Sequence, residues 1–265
     1  MSSGTVRIKH GGSSMDRIEL FNDHFQNFKP YQIPKAQLII ADPPYNLGKN
    51  AYASNPSWYV DGDNKNGESE LAGKQFFDTD ANFKPAEFMH FCSQMLVKEP
   101  KENGKAPCMV LFCGFEQQFY YIDLAKRYGL NHYINLVFRK NYSAQVLKAN
   151  MRVVGNCEYG LILYREKLPK FNNDGSMVFN CMEFPRETHY PKIHPTQKPV
   201  ALLERLIRLF TDRNEVVIDP CAGSGSTLLA AANLDRRAYG FEIKKEFYKE
   251  AKDFIKKYAH PNLFT

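Results

Sequence analysis

Nowhere in the 265 residues is there an apolar run of the ~18 needed to cross a bilayer as a helix, and the chain does not open on a secretory signal. A cytoplasmic protein with no membrane partner is expected. The six cysteines, Cys92, Cys108, Cys113, Cys157, Cys181 and Cys221, include no CxxC pair. Three of them, Cys108, Cys113 and Cys157, lie in or beside apolar runs, so all six are read as reduced thiols and no metal is expected. No internal repeat is visible. Charge of one sign is not in large excess: the formal +6 permits a nucleic-acid partner without demanding one.

What is present is a chain 43% hydrophobic and 14% aromatic, enough to bury one sizeable core, so a single α/β domain is expected over 15–265. Residues 1–14 are small, polar and flexible, and read as a leader ahead of Met15. From Asp16 onward short apolar runs alternate with amphipathic stretches, the pattern of strands and helices in turn and of a mostly parallel, two-sided sheet. Strands are predicted at 37–41, 108–113, 133–139, 157–164, 216–218 and 237–242, with helices at 84–98, 115–128, from about 202 to near Asp212, and at 228–233. Two irregular stretches interrupt this order. Residues 48–82 are rich in Gly, Asn and Asp, and a loop that long usually has a function or is disordered. Residues 165–193 carry Lys167, Lys170, Arg186, His189 and Lys192 among Phe171, Phe179, Phe184 and Tyr190. Basic residues interleaved with aromatics suit a short target-recognition segment on nucleic acid, although aromatics also pin ordinary surface loops.

Asp219-Pro220-Cys221-Ala222-Gly223-Ser224-Gly225-Ser226-Thr227 follows a strand and precedes a small-residue helix. Glycines there let backbone turn tightly and approach a ligand. About 20 residues on, the next strand ends at Glu242, followed by Ile243, where a carboxylate can receive ribose hydroxyls. A dinucleotide is disfavoured, because the third glycine of GxGxxG is missing and Asp219 would repel pyrophosphate. S-adenosylmethionine, cationic and free of phosphate, fits better, with Asp219 toward its ammonium and Glu242 toward its ribose.

The run Gln37-Leu38-Ile39-Ile40-Ala41 must stop at Asp42-Pro43-Pro44-Tyr45, because proline has a fixed φ and no N–H to donate. An exocyclic base amine is a poor nucleophile, since its lone pair is delocalised into the ring. Asp42 and the Pro43 carbonyl can accept its two hydrogens from a rigid turn that Pro44 completes, while Tyr45 stacks a base flipped out of a duplex. Asp-Pro-Pro alone more often marks an ordinary turn, but with a ligand-binding βαβ unit in the same chain it reads as a catalytic turn.

With His194-Pro195-Thr196-Gln197-Lys198-Pro199 leading into the last part of the chain, three motifs stand in one order. In that order the chain closely resembles the permuted β-group of DNA amino-methyltransferases, from about Asp16 to Tyr258. The resemblance implies a Rossmann-like fold with about seven mixed, mostly parallel strands between helices. It also implies methyl transfer from S-adenosylmethionine to double-stranded DNA. His194, Thr196, Gln197 and Lys198 are implied at the methionine end of the cofactor, where the Thr-Gln-Lys run also reads as the N-terminus of a helix. Asp23 is implied at the adenine end, and the rest of the cofactor set is Asp42, Cys221, Ala222, Gly223, Ser224, Gly225, Ser226, Thr227, Glu242 and Ile243. An Asp in the catalytic turn accompanies adenine N6 methylation, whereas Ser is commoner in cytosine N4 enzymes. A homodimer and a cognate restriction endonuclease are further expectations. Cytosine N4 chemistry, RNA as substrate and a DNA-binding module with a vestigial cofactor site remain as alternatives. Phosphate contacts are expected from among Lys49, Lys65, Lys74, Arg139, Lys140, Arg165 and Arg186.

Overall fold

The computed structural model describes residues 5–8, 18–44, 83–142 and 155–259. Tyr45, the 48–82 loop and Met15 lie outside them. In chain order the elements are β1 (Thr5–Ile8), β2 (Ile18–Phe21), β3 (Leu38–Ala41), α1 (Pro85–Met95), β4 (Cys108–Cys113), α2 (Gln117–Arg127), β5 (His132–Lys140), β6 (Cys157–Tyr164), β7 (Cys181–Phe184), α3 (Val200–Phe210), β8 (Val216–Asp219), α4 (Ser226–Asn233), β9 (Arg237–Phe241) and α5 (Lys245–Tyr258). Pro85 opens α1 and Pro199 precedes α3, positions where the fixed φ favours a helix start.

The strands join in one sheet of order β1-β2-β9-β8-β3-β4-β6-β5-β7. Strands β2, β9, β8, β3 and β4 run parallel, β6 is reversed against both β4 and β5, and β7 is parallel to β5. The mixed, mostly parallel α/β sheet is as expected, with nine strands among the described residues rather than seven. The extra pairing is at the edges. Thr5–Ile8, inside the segment read as a flexible leader, pairs antiparallel with β2, and Cys181–Phe184 pairs with β5. Neither segment is a continuous apolar run, Arg7 interrupting one and Glu183 the other, so neither stands out in the sequence as β3 and β8 do.

Alternate residues of each central strand feed two cores. Leu38, Ile40, Val110 and Phe112 pack with Leu203 and Leu206 of α3, Leu228 of α4 and Phe254 of α5, whereas Ile39, Ala41, Met109 and Leu111 pack with Phe88 and Met95 of α1 and Leu124 of α2. The chain thus folds as three layers, helices on both faces of the sheet. Among the described residues no helix is long and apolar enough to cross a membrane. All six cysteines are free thiols; Cys92, Cys108 and Cys113 are buried.

The connection from β3 leaves toward β4 through α1 on one face, and the connection from β8 leaves toward β9 through α4 on the other. Adjacent parallel strands whose connections diverge open a crevice at their carboxyl ends. Asp42 and Asp219 both stand at that crevice.

Gly240 of β9 keeps α4 close to the sheet: a Cβ there would lie 2.7 Å from Leu228 Cδ1 and 3.1 Å from Ala222 Cβ. Gly240→Ala is therefore expected to lower the unfolding free energy by about 1–3 kcal/mol through overpacking. Urea denaturation checks this; unchanged stability would mean the helix can retreat at no cost.

Candidate active site

Strand β3 pairs with β4 as far as Ala41 and stops where the prolines begin. Pro43 is buried, and Asp42 and Pro44 are half-buried. The Asp42 Oδ2 atom lies 2.6 Å from Lys198 Nζ, so the residue two places before α3 reaches across to the end of β3. Lys198 is itself buried, stands over the Phe112 ring at 5.0 Å and lies 3.2 Å from Glu158 Oε2 on β6. Burial opposes the Lys198 charge, but Asp42 and Glu158 together raise its pKa well above the ordinary lysine value. Glu158 also pairs with Lys140. Glu158 was not singled out in the sequence; a signal was available, since it shares the core-facing phase of β6 with Ile162.

The glycine turn is laced from within. Ala222 N–H donates to Phe241 O at 2.9 Å, and Gly225 N–H to Ala222 O at 2.7 Å. Gly223 and Gly225 adopt φ of +49° and +73°, conformations glycine reaches without strain. A Cβ on Gly223 would come within 3.3 Å of the His194 ring. The Ser224 and Ser226 hydroxyls bond each other at 2.8 Å. Asp219, 5% exposed, accepts from Cys221 N–H at 3.0 Å and from the Thr227 hydroxyl. Its carboxylate thus caps its own turn, and it contributes to the crevice chiefly as charge.

Glu242 stands at the end of β9 and bridges the two halves of the crevice wall. Its carboxylate oxygens accept from Gly223 N–H at 3.0 Å and Lys244 N–H at 2.8 Å. Asn22, just past β2, donates to Glu242 O at 2.9 Å and Ile243 O at 3.2 Å, which sets the loop after β2 beside this acid. There Asp23 accepts from Tyr31 Oη at 2.6 Å, His24 N–H at 2.7 Å and Asn27 Nδ2 at 2.8 Å. Burial works against the Asp23 charge, yet these donors hold its carboxyl below the ordinary range. Ile243 is an exposed apolar side chain at the same edge.

The 194–198 run divides its labour. His194 packs edge-on to Phe247 at 4.5 Å, with its Nδ1 3.2 Å from Thr196 Oγ1. Burial, then the charges of Lys198, Lys192 and Lys244, push His194 down to about 4. It is neutral at physiological pH. Gln197 accepts from Ile193 N–H at 2.9 Å and donates to Pro191 O at 3.1 Å, so it ties its own loop together. Lys198 reaches the acid-proline turn.

Several basic residues expected at phosphate lie elsewhere. Arg165 is half-buried and donates to the Val97 and Ser93 carbonyls at 2.9 and 3.0 Å, and Lys140 is committed inward to Glu158. Neither is placed for DNA, because burial with a fixed acceptor consumes the charge. Arg139 pairs with Glu183, and Arg186 lies 4.8 Å over the Tyr142 ring. Lys49, Lys65 and Lys74 lie outside the described residues. The 165–193 segment is divided too. Its first part runs along the amino ends of the parallel strands, where Lys170 N–H donates to Ala106 O at 2.9 Å and its ammonium pairs with Asp212 and Glu215. After β7, Glu187 accepts from Val200 N–H at 3.0 Å at the start of α3, and Tyr190 packs edge-on against Phe254 and Tyr258 of α5.

Burial raises Asp219 to about 7, helped by the nearby charges of Asp42 and Glu242, and burial likewise raises Glu242 to about 7. Acids crowded against a glycine cradle favour a ligand with cationic groups and hydroxyls. One strand over, exposed Phe115 lies 5.3 Å from Tyr159, and offers aromatic surface beside the proline turn. An acid-proline turn and a glycine turn at the switch point of such a sheet are the equipment of a group-transfer enzyme with a nucleoside-bearing cofactor.

Comparison with known proteins makes the class specific. The chain belongs to the DNA methylase family, whose model matches residues 36–253. It is 27% identical over 263 residues to the DNA adenine methyltransferase YhdJ of Escherichia coli (strain K12), covering 94% of this chain and 85% of that one. In fold it resembles the M1.HpyAVI–SAM complex (TM-score 0.62, 24% identity, 90% and 98% of the two chains). It also resembles the cytosine-N4-specific PvuII DNA methyltransferase (TM-score 0.63, 15% identity, 94% and 88%). It is an S-adenosylmethionine-dependent DNA methyltransferase.

Because Asp219 and Glu242 have raised pKa values without ligand, the cofactor-free protein loses stability as pH rises from the ordinary carboxylate range through about 7. A cationic ligand reverses this by favouring the ionised acids. S-adenosylmethionine is therefore expected to raise the melting temperature more above that pH than below it, and to release protons on binding. Calorimetry in buffers of different ionisation enthalpy checks the sign; proton uptake would contradict it. Gly223→Val, forced into a strained φ against His194, should lose cofactor binding in the same titration.

Proposed function

We propose that the base methylated is adenine, at its N6 amine, within a specific sequence of duplex DNA and with the base turned out of the helix. Asp42 carries this assignment, as a carboxylate at the end of β3 held 2.6 Å from Lys198 beside the glycine turn. Asp42 and the Pro43 carbonyl accept the two amine hydrogens, draw them from the ring plane and localise the lone pair on nitrogen. When bound, S-adenosylmethionine supplies an electrophilic methyl group on a sulfonium. Asp42 then takes the proton that the methylated nitrogen must lose. Pro44 holds the turn rigid and Tyr45 stacks the extruded base, which helps repay an unstacking cost of a few kcal/mol.

On the cofactor side, Glu242 takes the ribose hydroxyls, Asp23 and Ile243 border the adenine, and Asp219 supplies negative charge toward the cationic end. Cys221, Ala222, Gly223, Ser224, Gly225, Ser226 and Thr227 shape the cradle, His194 with Thr196 closes over Gly223, and Gln197 braces that loop. An Asp rather than a Ser at position 42 supports adenine. Cytosine N4 is the second reading, favoured by the likeness in fold to the PvuII enzyme. Family resemblance also supports a homodimer, which light scattering would test, and a cognate restriction endonuclease.

Incubation of unmethylated DNA with labelled cofactor, followed by nucleoside mass spectrometry, is expected to give N6-methyladenine; label found only in N4-methylcytosine would overturn the base assignment. Competing RNA should not divert the label. Asp42→Ala is expected to lower kcat by about 10²- to 10³-fold or more, the scale of losing one transition-state hydrogen-bond partner. Its affinity for S-adenosylmethionine should change little, and retained turnover would sink the catalytic role of the turn.

A further inference from the structure

Four charged side chains of alternating sign lead from β5 to the acid-proline turn. Lys140 pairs with Glu158 Oε1, Glu158 Oε2 lies 3.2 Å from Lys198 Nζ, and Lys198 Nζ lies 2.6 Å from Asp42 Oδ2. The lysine side chains are only 11% and 9% exposed. Glu158 occupies the core-facing phase of β6, opposite buried Phe138 on β5. An apolar residue would suit that slot for packing alone, since buried ion pairs often add nothing to stability over hydrophobic replacements. Burial pushes the Glu158 carboxyl up, but Lys198 and Lys140 overcome this and hold it below the ordinary range.

We propose that Glu158 is a positioning residue for methyl transfer: it anchors the Lys198 ammonium so that Lys198 holds the Asp42 carboxylate in one orientation, while Lys140 balances Glu158 from behind. This rests on the reading of Asp42 as the acceptor of the amine. A lysine is a point charge on a flexible stem, and with one carboxylate as its only anchor it can swing. Two carboxylates on separate strands, with the Phe112 ring 5.0 Å beneath, leave the ammonium one place to be. The other charged or titratable groups facing the chain are His194 toward Lys198, Tyr142 toward both Glu158 and Lys198 with Arg186 beyond it over the Tyr142 ring, and Asp219, Cys113 and Cys221 toward Asp42. Among all these, Glu158 and Asp42 are the carboxylates in contact with Lys198.

The test is steady-state methylation of unmethylated genomic DNA by the full chain carrying Glu158→Gln, Glu158→Asp or Asp42→Ala, with cofactor affinity from calorimetry and folding from thermal melts. Glu158→Gln is expected to lower kcat by about 10- to 100-fold, the scale of misplacing a catalytic group by an ångström. Its S-adenosylmethionine affinity should stay within about threefold of wild type, separating the effect from binding. Its activity should also fail at a lower alkaline pH, because Lys198 then has one carboxylate fewer to hold its proton, and Glu158→Asp should recover part of kcat. A folded Glu158→Gln with wild-type kcat and pH profile, beside an inactive Asp42→Ala, would overturn the proposal. Should Glu158→Gln not fold, Glu158→Asp decides, and a wild-type kcat in that variant counts against it. Turnover retained in Asp42→Ala would instead overturn the reading of Asp42.

Discussion

Parallel pairing of β3 with β8 is the constraint on which the site depends. Leu38 lies beside Val217 and Ile39 beside Ile218, so the residues that end the two strands are carried to the same level of the sheet. Each strand is then broken by a different device, paired prolines after Asp42 and positive-φ glycines after Asp219. Because the onward connections leave on opposite faces, a crevice opens between the broken ends. The chain from 194 to 198 enters this space from the side, and Lys198 closes it with a contact spanning 156 positions of sequence.

The crevice is electrostatically uneven. Asp219 and Glu242 are buried, and burial raises both carboxyls, Asp219 with help from the charges of Asp42 and Glu242, so ionising them calls for positive charge. Lys198 does not supply it, since its ammonium is already shared by Asp42 and Glu158. On the proposed reading, a cationic cofactor completes the balance on the glycine side while the buried lysine maintains it on the proline side, so that donor and acceptor do not compete for one counter-ion.

The central strands were legible in the sequence because each is a local run of apolar residues ended by a local breaker; β4 was predicted at its observed bounds, Cys108–Cys113. Motifs that act through backbone shape, the prolines at 43 and 44 and the glycines at 223 and 225, were legible for the same reason. Side chains whose meaning lies in a distant partner were not. Arg165 and Lys140 looked like phosphate ligands and serve as internal ties, Gln197 braces its own loop, and Asp219 caps its turn. A basic residue carries the same charge in a sequence whether a carbonyl or a phosphate awaits it.

By itself, then, the sequence determined the α/β class, the two chain breaks and the acids beside them, since these follow from periodicity, fixed φ and spacing along the chain, while the order of the three motifs carried the resemblance to a family. Only the tertiary structure decided which charges are spent inside the protein and which face the crevice, because ion pairing depends on distance in space. The link from Lys140 through Glu158 and Lys198 to Asp42 draws on four separated parts of the chain. No spacing rule connects them until the sheet has brought β3, β5 and β6 together.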